Sequence, residues 1–278
     1  MNAFTRSWEL VKASWSVLRD DKELMVFPVI SSIAVMLVMV SFAVPMFLAG
    51  VFEGGFAEGL PVVGFVLAFL FYVIQYIVIF YCNSALIGAA MIRLDGGQPT
   101  LRDGFRIASE RFGAIVGYAL ISATVGVILR SIAHRGFIGR IIASVLGFGW
   151  NLATFLAVPV LVVEGIGPVE AVKRSTQLLK KTWGEQIVGN IGIGFAFGVI
   201  SFFTVAALVG VLIVAISTHL TALIVAAVVL GVASLLVLGL VGSTLSAIYT
   251  AAVYRYAVKG DSGAAFPPAL VSGAFRAR

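Results

Sequence analysis

Six apolar runs, at 26–50, 61–92, 113–129, 141–163, 187–213 and 220–254, alternate with short charged stretches along the chain. A bilayer core takes about 20 helical residues, so each run is a candidate span. The second run has 32 residues, which as a helix would extend about 48 Å at ~1.5 Å per residue. It must tilt or project beyond the lipid. Its last three turns, with Tyr81, Cys82, Asn83 and Ser84, are the more polar ones, which favours projection or burial against neighbouring helices.

The polar stretches have a pattern of their own. Phe4, Trp8, Val11, Trp15 and Leu18 recur at intervals of four and three, one stripe of a 3.6-residue helix. Arg6, Lys12, Arg19 and Lys22 fall largely off that stripe. After the turn signal Asp95-Gly-Gly-Gln-Pro99, Thr100 stands three residues before Asp103 in capping-box position. Leu101, Phe105, Ala108 and Phe112 then form a stripe opposite Arg102, Arg106 and Arg111. In 167–183, Pro168 suits a first helical position, and Val172, Leu179 and Trp183 alternate with Lys173, Arg174, Lys180 and Lys181. Helices with aromatic and aliphatic residues on one side and cations on the other lie in the membrane interface. Arg6, Lys12, Arg102, Arg106, Lys173, Arg174, Lys180 and Lys181 are thus the expected contacts to lipid headgroups.

These three stretches carry an internal repeat. Ser7 and Trp15, Gly104 and Phe112, and Ser175 and Trp183 each set a small residue eight positions before a bulky aromatic, and two spans follow each pair. An interfacial helix plus a hairpin returns the chain to its starting side. Three such units, 1–92, 93–164 and 165–258, would be parallel repeats about an axis along the membrane normal, with 259–278 as a loose tail in which Leu270, Val271 and Phe275 could dock. The expectation is all-α: one membrane domain over 1–278, a polytopic bundle of six transmembrane helices with three cytoplasmic amphipathic interfacial helices.

Composition agrees with lipid as the solvent. The chain is 60% hydrophobic and only 12% charged, with a mean hydropathy of +1.08, where a soluble domain is about a quarter charged. The +6 net charge is distributed by side. The segments 1–25, 93–112, 165–186 and 255–278 each hold four Lys or Arg, sixteen of the nineteen. The positive-inside rule makes these cytoplasmic, both termini included. Arg130, Arg135 and Arg140 are the exception on the other side, where anionic headgroups are one partner for them. The first 25 residues hold Glu9, Asp20, Asp21 and Glu23 and no apolar h-region, so no cleavable signal peptide is read there. Cys82 is the only cysteine, which excludes an intramolecular disulfide.

The runs LDGGQPTLRDGFRIASERF, NLATFLAVPVLVVEGIGPVEAVKRSTQLLKKTWGEQIVGNIGIG and ALVSGAFR resemble, over the whole chain, a prokaryotic family of six-span membrane proteins known only as a domain of unknown function. The resemblance implies an all-helical integral protein of the prokaryotic cytoplasmic membrane. It implies no activity and transfers no functional residue.

The chemistry the spans hold is sparse. Intramembrane charges mark ion coupling and proton relays, and none of the six runs carries one at its centre. Glu164 ends the fourth run, within reach of Lys173 or Arg174. The neutral amides Gln75, Asn83, Asn151 and Asn190 are expected to face the bundle interior, as interhelical partners. Small-residue stripes include Gly113, Gly117, Gly147, Gly194, Gly198 and Gly239, expected to serve packing within the chain. His134 and His219 stand alone, and Gly192-Ile-Gly194 has the wrong spacing for a dinucleotide fingerprint. The expectation is therefore not an enzyme, with no metal, no cofactor and no nucleic-acid partner. Two functions compete: an accessory or scaffold protein holding anionic lipid, itself or other membrane proteins, and a channel or small-solute transporter lined by the four amides.

Overall fold

The structure, a computed structural model, describes residues 3–48, 61–183, 193–217, 221–263, 266 and 271. Ten α-helices make up the described chain: α1 (Ala3–Asp20), α2 (Val26–Leu48), α3 (Pro61–Leu94), α4 (Leu101–Glu110), α5 (Phe112–Ala133), α6 (Gly136–Thr154), α7 (Ala157–Glu164), α8 (Pro168–Trp183), α9 (Ile193–Ser217) and α10 (Thr221–Lys259). Helix is forced here: backbone amides in hydrocarbon find partners only within their own segment. Six helical stretches are long and apolar enough to cross a membrane, with α6 and α7 together making the fourth. The protein is an all-α polytopic bundle.

Its packed core lies at one end of the spans. Buried residues gather at Leu24 and Phe27 before and within the start of α2, Ala85–Met91 in α3, Ile115 and Tyr118 in α5, Leu156–Val162 in and before α7, and Leu245–Tyr254 in α10. These are the ends joined to α1, α4 and α8, whose own buried residues complete the same cluster. At the far end the spans present open apolar surface, from Met36 and Phe47 in α2 to Leu230 and Leu236 in α10. We call the assembly of α1, α4, α7 and α8 around the core the collar. With 34 residues in α3 and 39 in α10, these helices extend about 51 and 58 Å at ~1.5 Å per residue. A hydrocarbon core is only about 30 Å thick, so their last turns reach into the collar. The polar turn of α3 is buried there: Cys82 and Ser84 are enclosed and Asn83 is half-buried.

Local signals set the collar's joints. Gly96, at φ +88, closes α3 with a Schellman motif: its N–H donates to Arg93 O (3.0 Å) and the Gly97 N–H to Ile92 O (2.9 Å). Thr100 and Asp103 form the expected capping box on α4. A Cβ at Gly104 would lie 2.6 Å from Phe27 Cζ and 2.7 Å from the Ala85 carbonyl oxygen, so only glycine allows α4 to cross α3 this closely. Pro168 opens α8. The sequence pattern anticipates the turn, the capping box and Pro168, and marks Gly104 only as a small residue of the repeat.

Three expectations need correcting. The fourth span is not continuous: it breaks at Phe155–Leu156, between α6 and α7. Pro159 has no N–H, and its ring clashes with the carbonyl four residues back, that of Phe155. The connection read as 130–140 shrinks to His134 and Arg135, because α5 runs to Ala133 and α6 starts at Gly136. In the tail, Val271 is fully buried, one of the three residues read as able to dock, and so is Phe266; Leu270 and Phe275 lie outside the described residues.

The apolar stripe of α1 is also split. Val11 and Leu18 are buried with Leu10, Ala13, Ser14 and Val17, whereas Trp8 and Trp15 are 41% and 49% exposed. The protein side takes the aliphatic and small residues that pack closely. Tryptophan, apolar with one polar handle, sits on the opposite face, as it does where one side is greasy and the other wet. On α4, Ala108 is buried and Leu101 and Phe105 half-buried, while Phe112, which opens α5, is exposed; on α8, Ala171, Ser175, Leu178 and Leu179 are buried and Val172 half-buried. The side chains of Ser7 and Trp183 lie outside those described.

Candidate functional site

The four amides do not gather. Gln75 is buried, and its Nε2 reaches Val35 O of α2 at 3.5 Å; Asn83 is half-buried and Asn151 is exposed. Asn190 lies outside the described residues. The expectation that all four face the interior fails at Asn151, because no described helix covers the outward side of α6. The glycine stripes are likewise mixed. Gly117 meets Pro168 Cγ and Gly147 meets Leu129 Cδ1, at 3.0 and 3.6 Å from a Cβ built there, whereas Gly113, Gly198 and Gly239 face open space. Packing within the chain accounts for the first two alone, and Gly194 lies outside the described side chains.

Polar chemistry concentrates in the collar, first where α8 holds α7. The break at Phe155–Leu156 strands a backbone amide in the core, since Leu156 is completely buried. The Ser175 hydroxyl, itself 0% exposed, accepts that N–H at 3.0 Å. One residue earlier on α8, Arg174 Nε donates to both oxygens of Glu164 at 3.1 Å, at the other end of α7. Tyr254 of α10 donates its hydroxyl to the same carboxylate at 3.3 Å. Gly165 ends α7 at φ +65 under the Arg111 guanidinium. Consecutive residues of α8 thus hold both ends of an eight-residue helix. Of the two cations expected near Glu164, the arginine forms the pair, and Lys173 points outward.

The second polar centre joins the ends of α3 and α10. Arg255 donates to the Leu94 carbonyl, to Asp95 Oδ1 at 2.7 Å and to Asp261 Oδ2 at 2.7 Å, and Lys259 approaches Asp95 at 3.3 Å. The Arg255 hydrogen bond, helped by the Gly263 amide, holds the Asp261 carboxyl below the usual carboxylate range. Asp103 is likewise lowered, chiefly by the Thr100 hydroxyl and amide. Asp21 moves the other way, because burial disfavours its charged form. Beside Arg255 a half-open cleft of about 290 Å³ runs between α3, α4, α7 and α10, with Met91, Ile107 and Val162 in its walls and Asp95, Glu110 and Lys259 among its charged groups. Its cations are already matched by carboxylates.

The expected headgroup contacts divide in two. Lys12, Arg102, Lys173, Lys180 and Lys181 are exposed on the collar. Lys12 also pairs with Glu9 at 2.9 Å, and the exposed Arg106 with Asp103 at 3.1 Å. Arg174 is committed to Glu164, which removes it from the headgroup set; the partner is one of the chain's own carboxylates. The side chain of Arg6 lies outside those described. On α1 the exposed Trp8 and Trp15 share their face with the exposed Lys12 and Arg19. Among the described residues no three His, Cys, Asp or Glu side chains converge as a metal site would need.

A family model described as a family of unknown function, DUF6159, matches residues 62–265, most of the chain. The chain belongs to the DUF6159 family. No curated protein and no solved structure matches this DUF6159 member. The match begins in the first turn of α3 and takes in every later helix. It includes the α7–α8 clamp and the Arg255 centre but leaves out α1 and α2, and is therefore narrower than the whole-chain resemblance in the sequence.

Reading the sequence of this DUF6159 chain missed Ser175 as a backbone cap, Arg255 as the joint of α3 with α10, and Phe266 as a buried anchor. Pro159 was the available signal for the first: a proline inside an apolar run frees an amide that some polar side chain must meet. Nothing local announces the other two, whose partners are 160 residues away or in the tail.

Proposed function

We propose that this multi-pass DUF6159 protein is a scaffold or accessory protein of a prokaryotic cytoplasmic membrane, with the collar and both termini on the cytoplasmic side. In this reading the collar grips anionic headgroups, and the spans offer their open apolar surfaces to lipid, to another copy or to other membrane proteins. The chain acts as one domain built from three parallel repeats, each opened by a collar helix. No catalytic step is assigned to it. The observation that carries the proposal is α1: one face is buried on the bundle, and the other sets exposed Trp8 and Trp15 beside Lys12 and Arg19. Tryptophans flanked by cations anchor a helix at the headgroup level.

The test uses the full chain carrying Trp150→Phe and Trp183→Phe, reconstituted into vesicles containing brominated lipid. Bromines placed high on the acyl chain should quench Trp8 and Trp15 more than bromines placed deep. Absence of quenching by either lipid would show that this face of α1 does not touch the membrane.

Transport along a neutral path is the second reading, favoured by the discontinuous fourth span, since broken helices occur at transporter binding sites. Against it, the amide freed by the break is already taken by Ser175. Small-solute flux into vesicles holding the protein, above that of protein-free vesicles, would select this reading.

A further inference from the structure

The hairpin between α5 and α6 contradicts the charge logic of the rest of the chain. α5 starts in the collar core with Ile115 and Tyr118 and runs 22 residues, about 33 Å at ~1.5 Å per residue. Its far end therefore reaches the opposite face of a core about 30 Å thick. There the chain places Arg130, Arg135 and Arg140, all exposed, and no described carboxylate pairs with any of them. Glu53 and Glu58, in the stretch between the first and second apolar runs, lie outside the described residues.

Helix energetics do not account for these charges. Arg130 is in the last turn of α5, where a cation suits the negative end of the helix dipole. Arg135 is the N-cap of α6 and makes no capping hydrogen bond, Arg140 follows the first turn, and that turn has no acid. Arg135, a cation at a positive helix end, is unfavourable without an anion from elsewhere. The hairpin is also tightly built. Gly136 turns at φ +87, and a Cβ at the buried Gly139 would collide with the Ile132 carbonyl. Arg130 donates to the Tyr72 hydroxyl of α3, which fixes its guanidinium. Between the arginines, Phe137 and Ile138 are 70% and 71% exposed. Phosphate-binding cations next to apolar side chains match a lipid, with headgroup above and acyl chain below.

We propose that the Arg130–Arg135–Arg140 hairpin is a binding site for the phosphate headgroup of an anionic lipid in the leaflet opposite the collar. It is separate from the collar's own lipid contacts and stands if that reading fails.

The test is native mass spectrometry of the detergent-purified full chain, titrated with phosphatidylglycerol or with phosphatidylcholine of the same acyl chains. The intact protein should retain phosphatidylglycerol preferentially. A basic residue near an anionic surface contributes about a fivefold gain in binding, so Arg130→Gln/Arg135→Gln/Arg140→Gln should lower that retention roughly a hundredfold. The triple lysine variant, which keeps the charge, should recover most of it. Lys12→Gln/Lys180→Gln/Lys181→Gln, on the other face, should leave this site occupied, and a loss confined to that variant would assign the bound lipid to the collar and overturn the proposal. Equal retention by the intact chain and the triple glutamine variant would also overturn it, as would displacement of the lipid by inorganic phosphate alone. Should the triple variant fail to fold, Arg135→Gln, at an exposed residue with no capping contact, should still cost about fivefold, and no loss there counts against the site.

Discussion

Replacing Ser175 with alanine removes one oxygen and tests how the broken fourth span is held. In the intact protein the Leu156 N–H, stranded where α6 and α7 separate, donates to Ser175 Oγ at 3.0 Å, with both residues 0% exposed. Water cannot reach the site, and an unpartnered buried amide costs about 1–3 kcal/mol. Alanine returns at most about 0.5 kcal/mol through its better helix propensity, so the net loss should be about 1–2 kcal/mol. The neighbouring Thr176 gives the control: its hydroxyl donates to Val172 O within α8 at 3.0 Å and closes no gap. Thr176→Ala should change stability by less than about 0.5 kcal/mol, the range of substitutions that break no buried partner. Reversible unfolding in mixed detergent micelles measures both, and hydrogen exchange at Leu156 should accelerate only in Ser175→Ala. If Ser175→Ala is no more destabilising than Thr176→Ala, the break is held by packing alone and the hydroxyl's assigned role is wrong.

Gly104→Val should cost about 2–3 kcal/mol, because overpacking against the fixed Ala85 carbonyl outweighs the gain in helix propensity, whereas Gly113→Ala, in open space, should be neutral or slightly stabilising; paired unfolding curves decide. A double-mutant cycle on Glu164→Ala and Arg174→Ala should give a coupling of about 1 kcal/mol, within the usual range for touching pairs, and zero coupling would remove the ion pair as a brace of α7. Asp261 has a lowered pKa, so its contribution is present above the ordinary carboxylate range and is lost as pH falls through the lowered value. Hydrogen-exchange protection across 260–271, taken relative to the intrinsic rate at each pH, should fall on acidification through that window. Asp103 shifts with the same sign, so Asp261→Asn is the variant that isolates the tail, and it should abolish the pH dependence there.

The spans and the collar joints were legible because their causes are local. Membrane-length apolar runs, the Thr100–Asp103 box, Pro168 and the Asp95-Gly96-Gly97 turn each depend on residues a few positions apart. The stripe on α1 misled because two different surroundings select apolar residues: the protein takes Leu10, Ser14 and Val17, and the other face keeps Trp8 and Trp15. A single periodicity cannot separate them. Asn151 was misplaced for a related reason, since an amide in a span gains from any partner but the sequence does not say which side of the helix has one. Arg255 and Phe266 are legible only in three dimensions, where the ends of α3, α10 and the tail meet.

In the proposed topology the collar and the hairpin lie on opposite sides of one membrane. With Cys82, which is 5% exposed, replaced by alanine, single cysteines at His134 in the hairpin and at Ser16 on α1, both exposed, can be treated with an impermeant thiol reagent in sealed cells. His134→Cys should be labelled from outside and Ser16→Cys only after permeabilisation. Labelling of both from the same side would contradict it.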